Sequence, residues 1–159
     1  MCLPQPGWTR DIAEFTAPVV GVADGDTLTI LYQGKQTKIR LAEVDCPELK
    51  GQAFGHAAKE FVLGLVAQKT VRVRQVTTDR YDRLVAEVFL PDGRSLNHLL
   101  VSQGLAWWYR AYSTDQTLAQ AEQAARSQRL GLWTEPHPIP PWEFRKQKRA
   151  SERNGKDRG

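Results

Sequence analysis

Two short stretches concentrate side chains suited to chemistry: Val22-Ala-Asp24-Gly25-Asp26-Thr27, and Arg40-Leu-Ala-Glu43-Val-Asp45-Cys46-Pro47-Glu48. Asp24-Gly25 is a strong hairpin signal and reads as a turn. Asp26 starts one predicted strand and Asp45 follows the next, and hairpin pairing brings those two ends together. Two carboxylates facing one small volume repel, and a hard divalent cation with oxygen ligands is the usual compensation. Glu48, beyond the rigid Pro47, is placed to hold a water near such an ion. Arg40 and Arg83 supply forked donors for phosphate oxygens. Together these are the parts required for metal-assisted phosphodiester hydrolysis.

The elements that must position these groups follow from periodicity and turn signals. Strand character over Ile12 to Val44, broken at Asp24-Gly25 and Gln33-Gly34-Lys35, predicts a meander of Ala13–Val22, Thr27–Tyr32 and Gln36–Ala42. Helical spacing of Phe54, Ala57, Ala58, Phe61 and Leu65 predicts a helix over Gln52–Ala67. Thr70–Val76 and Leu84–Leu90 alternate again and make the fourth and fifth strands. Ser95 caps a short helix that Gly104 ends, and a last helix is expected from Ser113 to a stop before Gly131. The order predicts an α+β, mainly β fold: a five-stranded Greek-key barrel of the OB type with about three helices. Residues 1–11 form an N-terminal segment and 12–141 the folded domain. The basic tail, 142–159, is expected as an extended arm packed by Trp142 and Phe144, with disorder from about Arg149.

Composition sets the outer bounds. The chain of 159 residues is 41% hydrophobic and 25% charged, with 9 Pro and 12 Gly, which excludes collagen-like, coiled-coil and low-complexity classes. Residues 1–141 hold 15 basic and 15 acidic side chains, whereas 142–159 hold 7 and 3, so the net charge of +4 sits entirely in the tail. A neutral body with a basic tail points to a polyanionic partner or to a solvated end. Cys2, Cys46, His56, His98 and His137 show no zinc spacing. Cys46 reads as a passive buried thiol, and a Cys2–Cys46 disulfide stays open. No apolar run is long enough to span a bilayer, so no membrane partner is expected. No intact signal peptide precedes the domain, which leaves a secreted or periplasmic mature form, or alternatively a cytoplasmic protein.

The ordered motifs resemble those of the staphylococcal nuclease (thermonuclease) family. The likeness rests on Asp24-Gly25-Asp26-Thr27, Arg40 with Asp45-x-Pro47-Glu48, Gln52-x-Phe54-Gly55-x-x-Ala58 and Asp79-Arg80-Tyr81-Asp82-Arg83. It continues through Asn97-x-x-Leu100-Val101-x-x-Gly104-Leu105-Ala106 to Gly131-Leu132-Trp133, so it spans roughly Val19 to Trp133. The resemblance implies a Ca²⁺-dependent endonuclease acting on DNA and RNA, with single strands preferred, as a monomer. It implies Asp26, Asp45 and the backbone carbonyl of Cys46 as metal ligands, and Glu48 as general base or water-orienting group. Arg40 and Arg83 would hold the scissile phosphate, and Arg80, Tyr81, Tyr109 and Tyr112 would contact the nucleotide. Four departures stand out: Cys46 occupies a threonine position, Arg80 a lysine position, Asp82 a glycine position beside Arg83, and the Trp107-Trp108-Tyr109-Arg110-x-Tyr112 run differs, with Tyr109 as a second candidate for the nucleotide pocket. The competing reading is a catalytically silent nucleic-acid-binding barrel, whose mark is loss of the carboxylates that are present here.

Overall fold

The structure, a computed structural model, describes residues 13–158. The N-terminal segment 1–11, Ile12 and Cys2 with its possible disulfide lie outside the described residues. The elements in chain order are β1 (Glu14–Asp24), β2 (Thr27–Tyr32), β3 (Lys35–Leu41), β4 (Val44–Asp45), α1 (Gly55–Val66), β5 (Thr70–Thr78) and β6 (Leu84–Phe89). They continue with α2 (Leu96–Ser102), β7 (Trp107–Trp108), α3 (Gln116–Ser127) and α4 (Pro141–Lys156). Single 3₁₀ turns cover Arg110–Tyr112 and Gly131–Thr134.

Five strands close a barrel in the order β1-β2-β3-β6-β5, with β3 and β6 parallel and every other pair antiparallel. The core follows from strand alternation, which sends residues two apart to one face. Leu28 and Ile30, Ile39 and Leu41, Val71 and Val73, and Ala86 and Val88 all point inward and are at most 1% exposed. Each such burial contributes about 1.5–3 kcal/mol for the larger side chains. β1 serves two neighbours, pairing β5 through Glu14–Pro18 and β2 from Val19 onward. Register shifts between Val19 and Gly21 and between Val22 and Asp24 bend it around the barrel. α1 buries Ala58, Val62 and Val66 against this wall.

Buried polar groups then lock the helices on. Asn97 Nδ2 donates to the carbonyls of Ala42 (2.9 Å) and Ala86 (3.2 Å), while its Oδ1 accepts from Val88 N–H (3.0 Å). One side chain thus ties α2 to the chain after β3 and to β6. The carboxylate of buried Glu122 on α3 accepts from Trp108 N–H at 2.7 Å and from Arg126 at 2.9 Å, holding β7 in place.

The structure differs from the sequence expectations in three places. The arm expected to be extended past Trp142, and disordered from Arg149, is the helix α4, which brings the α-helices to four. Pro141 sits at the first helical turn, where a missing N–H costs nothing. Glu143 near the start and Arg153 and Lys156 near the end complement the helix dipole. No β-branched residue interrupts the run from Pro141 onward. Phe144 fills the space over Gly51, where an added Cβ would strike the ring. Secondly, α3 starts at Gln116 with Asp115 as its cap, accepting from Thr117 N–H (2.9 Å), and not at Ser113. The Ser113 hydroxyl instead accepts from the Trp108 indole (2.9 Å). Thirdly, the two-residue β4–β7 pair was not foreseen, and it carries Asp45.

Among the described residues, no helix is long and apolar enough to cross a membrane. Removal of Asn97's amide, as Asn97→Ala, takes this partner from the Val88 N–H and the Ala42 carbonyl, while the Ala86 carbonyl keeps the Ala42 N–H at 2.8 Å, and is expected to lower unfolding free energy by about 2 kcal/mol. Urea denaturation checks this, and a loss under about 1 kcal/mol would contradict the locking role.

Candidate active site

The hairpin register places Thr27 of β2 opposite Arg40 of β3, so Asp26 stands beside the outward-facing Arg40 at the barrel rim. Ile39 and Leu41 on either side of Arg40 point into the core, which leaves Arg40 on the outer wall. Its Nη1 donates to the carbonyls of Leu41 (2.8 Å) and Val44 (2.9 Å), fixing the turn that leads into β4. Its Nη2 reaches Asp45 Oδ1 at 3.1 Å and Asp26 Oδ2 at 3.5 Å. A single nitrogen therefore touches both carboxylates, which are 7% and 1% exposed for Asp26 and Asp45.

Asp26 Oδ2 also accepts from Cys46 N–H at 2.8 Å, and its Oδ1 from the Thr27 hydroxyl at 3.3 Å. Burial works against ionisation of Asp26, but Arg40, Asp24 and the Cys46 N–H outweigh it and hold the carboxyl below the usual range. Burial pushes the Asp45 carboxyl up, against the opposing pull of Arg145 and Arg40. Asp24 shows the cost of crowding: desolvation, then repulsion from Asp26, raise its carboxyl to about 7. Its Oδ1 accepts from Asp26 N–H at 3.1 Å.

Arg83 is set by its own loop. Asp79 Oδ1 accepts from Tyr81 N–H (2.9 Å) and Arg83 N–H (3.0 Å), and Oδ2 accepts from Arg83 Nε at 2.7 Å. With Nε committed, the two terminal nitrogens of Arg83 are the ones available to a substrate. Asp82 takes φ +62°, the left-handed conformation for which glycine is suited and which aspartate tolerates better than most residues. The departure from glycine therefore leaves a glycine-like loop. Arg80 Nη2 donates to the Tyr81 hydroxyl at 2.7 Å, and both side chains are exposed.

These groups line one cleft of roughly 950 Å³, which contains Asp26, Arg40, Asp45, Glu48 and Arg83. Arg80, Tyr81, Tyr109 and Tyr112 lie along the same cleft, as the sequence reading placed them together. Tyr109 is half-buried, stacked on Trp142 of α4 at 5.0 Å and edge-on to Tyr112 at 4.7 Å. His56 is exposed and His98 half-buried, and neither lines the cleft. Arg72 and Arg74 are paired with Glu14 and Glu87 on the barrel surface.

The cleft also holds charged residues that the sequence does not assign to it: Asp24, which reads as a turn residue, and Arg145 and Arg149 of α4. Arg145 was assigned to a tail, yet its Nη1 and Nη2 donate to Asp45 Oδ1 (3.2 Å) and Oδ2 (2.8 Å), and Nη1 to Glu48 Oε1 (2.7 Å). Its helical spacing from Trp142 and the Pro-Trp start of α4 were the only sequence signals for it. Glu48 itself is held by its N–H donating to Gln52 Oε1 at 2.9 Å, while Gln52 Nε2 donates to the Ile139 carbonyl at 2.9 Å.

The donor set fits a hard divalent cation. Among the described residues no three His, Cys, Asp or Glu side chains converge as a metal cluster. A cation here would rest on the Asp26 and Asp45 carboxylates, a backbone carbonyl and water, all oxygen donors of the kind a hard divalent cation takes. The Cys46 thiol is no competitor: an added Cβ on Gly25 would strike both it and Ala58, so the sulfur packs inward. Burial pushes that thiol well above its ordinary range and keeps it protonated. Any role of Cys46 toward a cation thus falls to its carbonyl.

A closed OB-type barrel with a carboxylate and arginine cleft on its outer wall defines the class of the protein. Residues 38–135 match the family model described as staphylococcal nuclease homologue, and the chain belongs to that family. It is 40% identical over 141 residues to an uncharacterized endonuclease of Escherichia coli O157:H7, covering 89% of this chain and 92% of the relative. It is 44% identical over 137 residues to an uncharacterized endonuclease of Haemophilus influenzae, covering 86% and 76%. A micrococcal nuclease of Shigella flexneri is 37% identical over 151 residues, with 89% and 84% covered.

Asp24 carries a pH signature. Its carboxyl is raised from 3.8 to about 7, so between those values the folded protein keeps a proton that the unfolded chain has lost. That stability is complete below about pH 4 and lost as pH rises through about 7, whereas the lowered Asp26 acts below that window. Asp24→Asn, which keeps the acceptor oxygen, is expected to gain more stability over wild type at pH 7.5 than at pH 4.5 in chelator. Equal gains in urea titrations at both pH values would contradict the assignment.

Proposed function

We propose that this protein is a Ca²⁺-dependent endonuclease that hydrolyses phosphodiester bonds of DNA and RNA and leaves 3′-phosphate ends. The observation that carries this reading is the convergence of two buried carboxylates on one arginine nitrogen, inside a cleft that also holds Glu48 and Arg83. The relatives named endonuclease and micrococcal nuclease support it.

Asp26, Asp45 and the Cys46 carbonyl would hold the cation. When bound, Ca²⁺ would neutralise the two carboxylates and polarise the scissile phosphate. Glu48 takes a proton from the attacking water. Arg83 donates its terminal N–H groups to non-bridging phosphate oxygens, whose charge grows in the trigonal-bipyramidal transition state. Arg40 spends both Nη groups inside the protein, so its contribution in this arrangement is to place Asp26 and Asp45, with Nε left for the phosphate. As Glu48 takes the proton, the water oxygen adds to phosphorus, the bond to the 5′-oxygen breaks, and that oxygen takes a proton from solvent water and leaves as a 5′-hydroxyl, the Glu48 proton returning to solvent. Tyr81, Tyr109 and Tyr112 offer aromatic faces along the cleft for unstacked bases, which favours single strands. Duplex DNA must first open, at an energetic cost. The protein acts as a monomer on this reading.

Incubation of single-stranded DNA, RNA and duplex with Ca²⁺ or with excess chelator tests the proposal. Cleavage of single strands in Ca²⁺ with 3′-phosphate ends is expected; 5′-phosphate ends or full activity in chelator would overturn it. Asp26→Ala and Asp45→Ala are expected to abolish activity. Glu48→Gln and Arg83→Ala are expected to lower turnover by about 10²- to 10³-fold with an unchanged circular dichroism spectrum.

A further inference from the structure

Arg145 reaches the centre of the cleft from α4, 100 residues from Asp45 in the chain. Its guanidinium covers both oxygens of Asp45, at 3.2 and 2.8 Å, and one oxygen of Glu48 at 2.7 Å. Asp45 Oδ1 also accepts from Arg40 at 3.1 Å. A carboxylate has about four lone-pair sites. Three of those on Asp45 are occupied by guanidinium protons.

The placement is built and not incidental. Trp142 stacks on Tyr109 at 5.0 Å and meets Trp107 edge-on at 5.6 Å, and Phe144 sits over Gly51. The Gln52 amide joins the Glu48 loop to the segment leading into α4, at 2.9 Å on each side. These contacts bracket Arg145, whose side chain is 32% exposed, while the next residues of α4 from Lys146 onward are exposed.

We propose that Arg145 is an internal counter-cation that a divalent metal ion must displace from Asp45, so that α4 sets the metal affinity of the site. A dication and a guanidinium on the same carboxylate repel each other and compete for the same lone pairs. Entry of the metal therefore requires the fork of Arg145 to open. The same event takes a guanidinium off Glu48 and frees its carboxylate to accept a proton. Metal loading and release of the base are thereby coupled through one side chain. The displaced guanidinium stays within the cleft, next to Arg149, where substrate phosphate can take it up.

This inference rests on the metal-dependent reading above, and calorimetric titration of the full chain with CaCl₂, without substrate, separates the two. Wild type, Arg145→Ala, Arg145→Lys and Asp45→Asn are compared after circular dichroism confirms their folds. Loss of the bidentate contact is expected to lower the Ca²⁺ Kd of Arg145→Ala by about tenfold or more, with Arg145→Lys in between. Ca²⁺ binding by Arg145→Ala that is equal to or weaker than that of wild type, with Asp45→Asn abolishing it, would overturn the counter-cation role alone. Absence of Ca²⁺ binding in both wild type and Arg145→Ala would overturn the metal-dependent reading and this inference with it.

Discussion

Two carboxylates buried side by side at the rim of an apolar barrel cannot stand without positive charge, and much of the structure is arranged to supply it. Asp26 and Asp45 are nearly inaccessible to water, so their repulsion is poorly screened. Arg40 meets both, Arg145 covers one, and the Cys46 N–H adds a further donor. Asp24 marks the limit of this compensation, since its carboxyl is driven up toward neutrality. A site so rich in negative charge is expensive for folding, and on the proposed reading it would be useful for chemistry, because an incoming dication would find oxygen ligands already gathered.

The barrel contributes the geometry that makes the arrangement rigid. Parallel pairing of β3 with β6 sets the end of β3, from which Arg40 reaches across the turn to Val44. β4 then pairs with β7, and Glu122 holds β7 through Trp108 N–H, so the position of Asp45 depends on a buried acid on α3. Asn97 fastens α2 to the same turn through the Ala42 carbonyl. Side chains far from the cleft in sequence therefore fix the carboxylates more firmly than the loop that bears them could alone.

Much of this was legible from the residues. Strand alternation and turn signals locate all five barrel strands, and hairpin logic brings Asp26 and Asp45 together; the ion pairs of Arg40 with both carboxylates, which follow from the Thr27–Arg40 register, are seen only in the structure. What was not legible shares a cause. The β4–β7 pair is two residues long and leaves no periodic trace. Asp24 accepts from the Asp26 N–H two residues on, a contact the turn explains, but the burial and the neighbouring charge that raise its carboxyl are set by the folded cleft and leave no local trace. α4 was hidden by prolines that read as chain breakers, although Pro141 occupies the one turn where a helix accepts it. The approach of Arg145 across 100 residues can be read only through that helix, from its spacing to Trp142, so an extended arm hides it.

The most direct test of the central claim, that the buried carboxylate pair exists to hold a divalent cation, is a crystal structure of the protein grown with Ca²⁺. The account predicts a single ion between the Asp26 and Asp45 carboxylates, with the Cys46 carbonyl facing it and Arg145 withdrawn from Asp45. An empty space there with Arg145 still clamped on Asp45 at saturating Ca²⁺, or an ion bound elsewhere in the cleft, would contradict it.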